Sequence, residues 1–117
     1  MNSLFEQLLS GLRDQRSGII TADALKRQID NGQAPILLDV RDTYELKGPV
    51  GHLPGVINIP LHVLSAKLSG LPRDKEIVIV CHSAARAFTA ARIMRQKGFD
   101  RVAVLEGGMI NWRLRGY

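Results

Sequence analysis

Two stretches of this chain, Ile36-Leu37-Leu38 and Ile77-Val78-Ile79-Val80, are apolar without alternation. A strand with one wet face alternates polar and apolar side chains, so unbroken runs of this kind belong to strands covered on both sides. Strands are expected at Gly18 to Ile20, Ile36 to Asp39, Val56 to Ile59, Ile77 to Val80 and Val102 to Leu105. Helical patterns lie between them. The alternation predicts an α/β domain whose sheet is largely parallel.

Thr21 is placed to cap a helix over Ala22 to Asn31, with Leu25 and Ile29 on one face and Gly32 just past its end. Leu61, Leu64 and Leu68 recur at spacings of three and four after Pro60 and predict a further short helix. Over His82 to Gln96 the polar positions Arg86, Thr89, Arg92 and Gln96 make one stripe, while Ala87, Phe88, Ala91 and Met94 face elsewhere and are expected against the sheet.

Residues 1–17 read as an extension to a domain spanning 18–117. Ser3 and Glu6 form a capping box, and Leu4, Phe5, Leu8, Leu9 and Leu12 line one side of the helix it starts. That apolar side packs on the chain's own domain, or docks on a protein partner or a second copy. The sequence leaves both open.

At 117 residues the chain has room for one domain and no second. A single cysteine excludes an internal disulfide and cannot build a zinc site alone, and His52, His62 and His82 have no metal-ligand spacing with it. No metal, nucleotide or organic cofactor is implied. Glu6, Gln7, Arg13 and Asp14 interrupt the start as no secretory signal does, and no run is long enough to span a bilayer, so a cytoplasmic protein without membrane association is expected. The net charge of +5 attracts anions, whether small substrates or an acidic partner. Nucleic acid is not expected, because no aromatic residues interleave with the basic ones.

The chemistry gathers at Cys81, between a core strand and a helix. The bland reading is a small apolar residue that ends a strand. The residues that follow, His82-Ser83-Ala84-Ala85-Arg86, argue for more: small side chains let successive N–H groups turn inward and form an anion-binding nest, and Arg86 adds a cation. A helix N-terminus contributes up to about 2 kcal/mol to a nearby anion, and charge-assisted N–H bonds add to it. The loop therefore favours the thiolate without a histidine base.

In order along the chain stand Leu38-Asp39-Val40-Arg41, then Gly51-His52-Leu53-Pro54-Gly55-Val56-Ile57-Asn58-Ile59-Pro60, then Ile77 to Arg86, then Leu105-Glu106-Gly107-Gly108-Met109 with Trp112. Together these segments resemble the rhodanese family of sulfurtransferases, over about Ile19 to Tyr117. The resemblance implies a five-stranded parallel sheet flanked by helices. It implies Cys81 as nucleophile and persulfide carrier, with the backbone N–H groups of His82, Ser83, Ala84, Ala85 and Arg86 around the transferred sulfur. The Arg86 side chain would attract an anionic donor such as thiosulfate, and cyanide or another thiophile would accept the sulfur. Asp39, Arg41, His52, Gly107, Gly108 and Trp112 read as structural. Two departures stand out: Ala84 occupies a loop position where the family very often has glycine, and Pro49 and Val50 lengthen the approach to His52, as a surface loop.

Rival readings share the fold. A cysteine phosphatase of this fold needs Cys-x5-Arg around a phosphoryl group, whereas the spacing here is Cys-x4-Arg. A non-catalytic binding module would not need the cysteine and its open loop. A redox-sensing thiol would lack a resolving cysteine in this chain.

Overall fold

A computed structural model describes residues 18–117; the expected N-terminal helix of residues 1–17 lies outside the described residues. Strands β1 (Ile19–Ile20), β2 (Ile36–Asp39), β3 (Ile57–Asn58), β4 (Ile77–Val80) and β5 (Val102–Leu105) form one sheet in the order β1-β5-β4-β2-β3. Every pairing is parallel. β2, β4 and β5 have the bounds expected from sequence. β1 is shorter, because Gly18 has φ +57° and cannot continue an extended strand. β3 is shorter too, although Ile59 N still donates to Asp39 O at 3.0 Å beyond its end.

β4 lies in the middle, with all four residues buried, and pairs residue for residue with β2. Because side chains alternate across a strand, Ile77 and Ile79 enter the core on one face and Val78 and Val80 the core on the other. The same parity puts Cys81 with Ile77 and Ile79.

Helices α1 (Ala22–Asp30) and α4 (Gly108–Leu114) cover the Val78 face through Ala22, Leu25, Met109 and Trp112. Helices α2 (Leu61–Leu64) and α3 (Ala85–Gln96) cover the Cys81 face through Leu64, Ala87, Ala90, Ala91 and Met94. Thr21 caps α1 as expected, its Oγ1 accepting from Ala24 N at 3.1 Å. Three alanines let α3 approach the sheet closely, which brings its first turn over the end of β4.

Several expectations need correction. The helix after Pro60 ends at Leu64, and Leu68 falls in a separate 3-10 turn, Leu68–Gly70, where it is still buried. α3 begins at Ala85 rather than His82, because Ala84 has a left-handed backbone that no helix continues. Phe88 does not face the sheet but is 45% exposed, on the same side of α3 as the exposed Ala85 and Thr89. The buried stripe runs instead through Ala87, Ala90, Ala91 and Met94, at spacings of three and four. Val50 is more than loop surface: it packs against the Val78-side core, and its carbonyl accepts from Arg113 Nε at 2.8 Å.

β2 leads to β3 on one side and β4 leads to β5 on the other, so the connections that leave these neighbouring strands diverge. A crevice at such a switch point is where open parallel sheets place their ligands. Two segments meet there, the loop after Cys81 and a 3-10 turn over Thr43–Lys47. Among the described residues, no helix is long and apolar enough to cross a membrane.

Candidate active site

Cys81 follows the last residue of β4 and is a free cysteine, buried at 1% exposure. Its Sγ accepts hydrogen bonds from Ala84 N at 3.1 Å and Ala87 N at 3.4 Å. Ala87 is the third residue of α3, and the N–H groups of a first helical turn have no acceptor within their own helix. The sulfur thus takes the place of that acceptor, at the positive end of the helix dipole. Of the residues singled out from sequence, Ala84 points its N–H at the sulfur, and His82, Ser83 and Ala85 are exposed around it. Ala87 was not foreseen, since its role depends on how tightly the chain reverses.

That reversal is made at Ala84, whose φ is +110°. Among the described residues it is the one non-glycine with positive φ, a conformation in which Cβ crowds the carbonyl and which costs about 1–3 kcal/mol. The glycine missing from this position would remove that cost. The strain is held in place by the contacts around it.

Part of the hold comes from α4. Met109 N donates to Cys81 O at 2.9 Å, and Ile110 N donates to His82 O at 3.1 Å. In a trans peptide the N–H points opposite to the C=O, so drawing these two carbonyls toward α4 turns the N–H groups of His82 and Ser83 away from it. Gly108 makes the approach possible: a Cβ there would stand 2.5 Å from His82 O and 2.6 Å from Cys81 O. Gly108, read as structural from sequence, is therefore a support of the loop.

Arg86 does not stand free beside the sulfur. Its Nη1 donates to Glu45 Oε2 at 2.7 Å and its Nη2 to Glu45 Oε1 at 2.8 Å, a two-pronged pair in which the glutamate is the more buried partner. Asp42 N donates to the same Glu45 Oε2 at 2.9 Å. The Arg86 bond and the Asp42 amide outweigh burial and hold the Glu45 carboxyl down at about 2. The guanidinium of Arg86 is pushed up, first by its bond to Glu45, with a smaller contribution from the charge of Cys81. Glu45 was missed from sequence. Nothing local marks it, and it lies in another connection.

The turn that carries Glu45 is fixed by a buried pair. Arg41 Nε and Nη2 clasp both carboxylate oxygens of Asp39 at 2.7–3.1 Å, and neither residue is exposed. The remaining Arg41 donors reach Gly51 O at 2.8 Å and Glu45 O at 3.4 Å. Asp39 and Arg41 are structural, as expected. His52 is exposed, and its Nδ1 donates to Leu53 O at 2.9 Å. Trp112 is 4% exposed and meets Tyr117 edge to face. A cavity of about 620 Å³ opens at the other end of the sheet, lined by Ile77 and Val102 at the strand starts, and takes no part in this arrangement.

Residues 21–115 match the rhodanese-like domain. The chain belongs to this family. It is 31% identical over 97 residues to a sulfurtransferase of Allochromatium vinosum, covering 83% of this chain and 89% of that protein. A rhodanese-related protein of Thermoplasma volcanium superposes with a TM-score of 0.75 at 33% identity, over 85% of this chain and 93% of that one. An NAD-dependent persulfide reductase of A. fulgidus shares 34% identity with a TM-score of 0.64, over 88% of this chain but 17% of its own length. The likeness to the first two extends over most of each rhodanese-like chain.

Two outcomes follow from this geometry. Ala84→Gly is expected to raise stability by about 1 kcal/mol, the relieved strain less the added chain entropy of glycine; a lower urea midpoint would contradict it. Glu45 has a folded value of about 2 against an ordinary 4.5, so its pair with Arg86 stabilises the fold above the ordinary value and is lost as pH falls from about 4.5 through about 2. Unfolding curves at stepped pH are expected to show the wild-type advantage over Glu45→Gln shrinking across that window, and an advantage unchanged by pH would oppose the assignment.

Proposed function

We propose that this chain is a sulfurtransferase that moves sulfane sulfur from an anionic donor, thiosulfate or a persulfide, to cyanide or another thiophilic acceptor through a persulfide on Cys81. The family and a relative named a sulfurtransferase support sulfur transfer as the class of chemistry. The observation that carries the reading is one sulfur held by two backbone amides at the start of a helix. Nothing in that arrangement needs a histidine base.

In the first half-reaction the Cys81 thiolate attacks the outer sulfur of thiosulfate. The bond from that sulfur to the sulfonate breaks, and sulfite leaves with the electron pair. Cys81 then bears a persulfide whose terminal sulfur is an anion, cradled by the N–H groups of the His82–Arg86 loop. In the second half-reaction cyanide attacks this terminal sulfur, thiocyanate departs and the thiolate is restored. No net oxidation of the protein occurs over the cycle.

Loop length supports a sulfur atom over a phosphoryl group: Cys81 and Arg86 stand at Cys-x4-Arg, one residue shorter than the Cys-x5-Arg that a phosphatase of this fold needs. The arginine that a phosphatase needs for its phosphoryl oxygens is, in this chain, bound on both prongs to Glu45.

Intact-mass measurement after incubation with thiosulfate is expected to show an adduct of one sulfur atom. Cyanide should discharge it as thiocyanate, and Cys81→Ala should not form it. Hydrolysis of p-nitrophenyl phosphate with no sulfur adduct would favour the phosphatase, and neither reaction would favour a binding module.

A further inference from the structure

Around the sulfur, charge is present but largely cancelled. Asp39 and Arg41 form a closed, buried pair behind the 3-10 turn. Asp42 and His62 face each other across 3.8 Å at the surface, and the ring of His52 is turned to Leu53 O. His82 is exposed on the loop itself. Arg86 lies in the first turn of α3, the turn whose Ala87 amide reaches Sγ, and is the guanidinium nearest in sequence to the thiol. Each of its two terminal nitrogens donates to one oxygen of the Glu45 carboxylate, so the cation and the anion are held edge to edge.

We propose that Glu45 is a specificity-determining residue of the Cys81 site: by taking both terminal nitrogens of Arg86 it cancels the charge of the loop's guanidinium and biases the site toward donors of low charge, persulfides, over the thiosulfate dianion. This rests on the sulfur-transfer reading for the identity of the donor, though the charge-setting role does not. The geometry explains why the pair has this effect. A carboxylate fixed at 2.7 Å and 2.8 Å leaves an approaching anion a dipole to meet rather than a cation, and the attraction of a dipole falls away much faster with distance. What remains to hold an anion is the set of loop amides, two of which already reach Sγ. Glu45 is itself held by the Asp42 amide, so it does not swing aside as a free surface glutamate would.

The test compares two alkylating agents on the folded chain. Iodoacetate and iodoacetamide react with the same thiolate, so the ratio of their rates reports the field felt by an incoming anion and cancels any change in thiol ionisation. In Glu45→Gln, which keeps an acceptor for the Asp42 amide, the iodoacetate to iodoacetamide ratio is expected to rise about threefold at low ionic strength, as for a unit charge roughly 7 Å away in a water-like dielectric. Salt should erase the gain. Arg86→Gln should lower the ratio by a similar factor, and the double variant should return it to the wild-type value. With thiosulfate as donor, Glu45→Gln should lower KM more than it changes kcat, and should raise kcat/KM for thiosulfate relative to that for the persulfide of 2-mercaptoethanol.

An unchanged or lower ratio in a Glu45→Gln protein that is fully folded at the assay temperature, as its far-UV circular dichroism and melting curve show, would overturn the proposal. Should Glu45→Gln fail to fold, an Arg86→Gln protein with an unaltered ratio would overturn it equally. A raised ratio with no thiocyanate formed by any variant would refute the transfer reading and still support the charge-setting role.

Discussion

Two backbone N–H groups, those of Ala84 and Ala87, reach one sulfur atom, and the surrounding structure is arranged so that they can. For the sulfur to lie under α3, Cys81 must share the parity of Ile77 and Ile79, which the unbroken register of β4 guarantees. For the amides to turn inward, the chain must reverse within three residues, and it does so through a left-handed Ala84. Neither condition is local to the cysteine. A shift of one residue in the strand would aim the thiol into the opposite core.

A strained turn persists only where its neighbours over-determine it. Here α4 draws two carbonyls outward, and the pair of Glu45 with Arg86 ties the first turn of α3 to the connection after β2. Behind both stands the buried clasp of Asp39 and Arg41, which would be costly to break because either charge left alone would be buried without a partner. The loop is thus held from two directions by elements that belong to different parts of the chain. This is the physical content of a preorganised site: the donors are aimed at Sγ with no reactant present.

Sequence made the sheet legible because burial on both faces leaves a compositional mark, and the bounds of β2, β4 and β5 follow directly from their apolar runs. Cys81 stood out in the sequence because small residues and Arg86 follow it, and the structure brings two amides to its Sγ. Ala84 stood out as a departure from the glycine that the resemblance leads one to expect, and its φ of +110° gives that departure its consequence. The partner of Arg86 was not readable, since Glu45 is 41 residues away and meets it only after β2 and β4 have paired. The close approach at Gly108, the reach of Ala87 and the outward turn of Phe88 depend in the same way on how helices settle on the sheet.

The central claim is that main-chain amides, rather than a side-chain base or a free cation, receive the transferred sulfur. Amide resonances of the isotopically labelled chain, recorded before and after thiosulfate and again after cyanide, test it most directly. The account predicts reversible shifts concentrated on His82 through Ala87, with Ala84 and Ala87 among the largest. Shifts that appear elsewhere while these residues stay unmoved, in a protein that carries the extra sulfur, would contradict it.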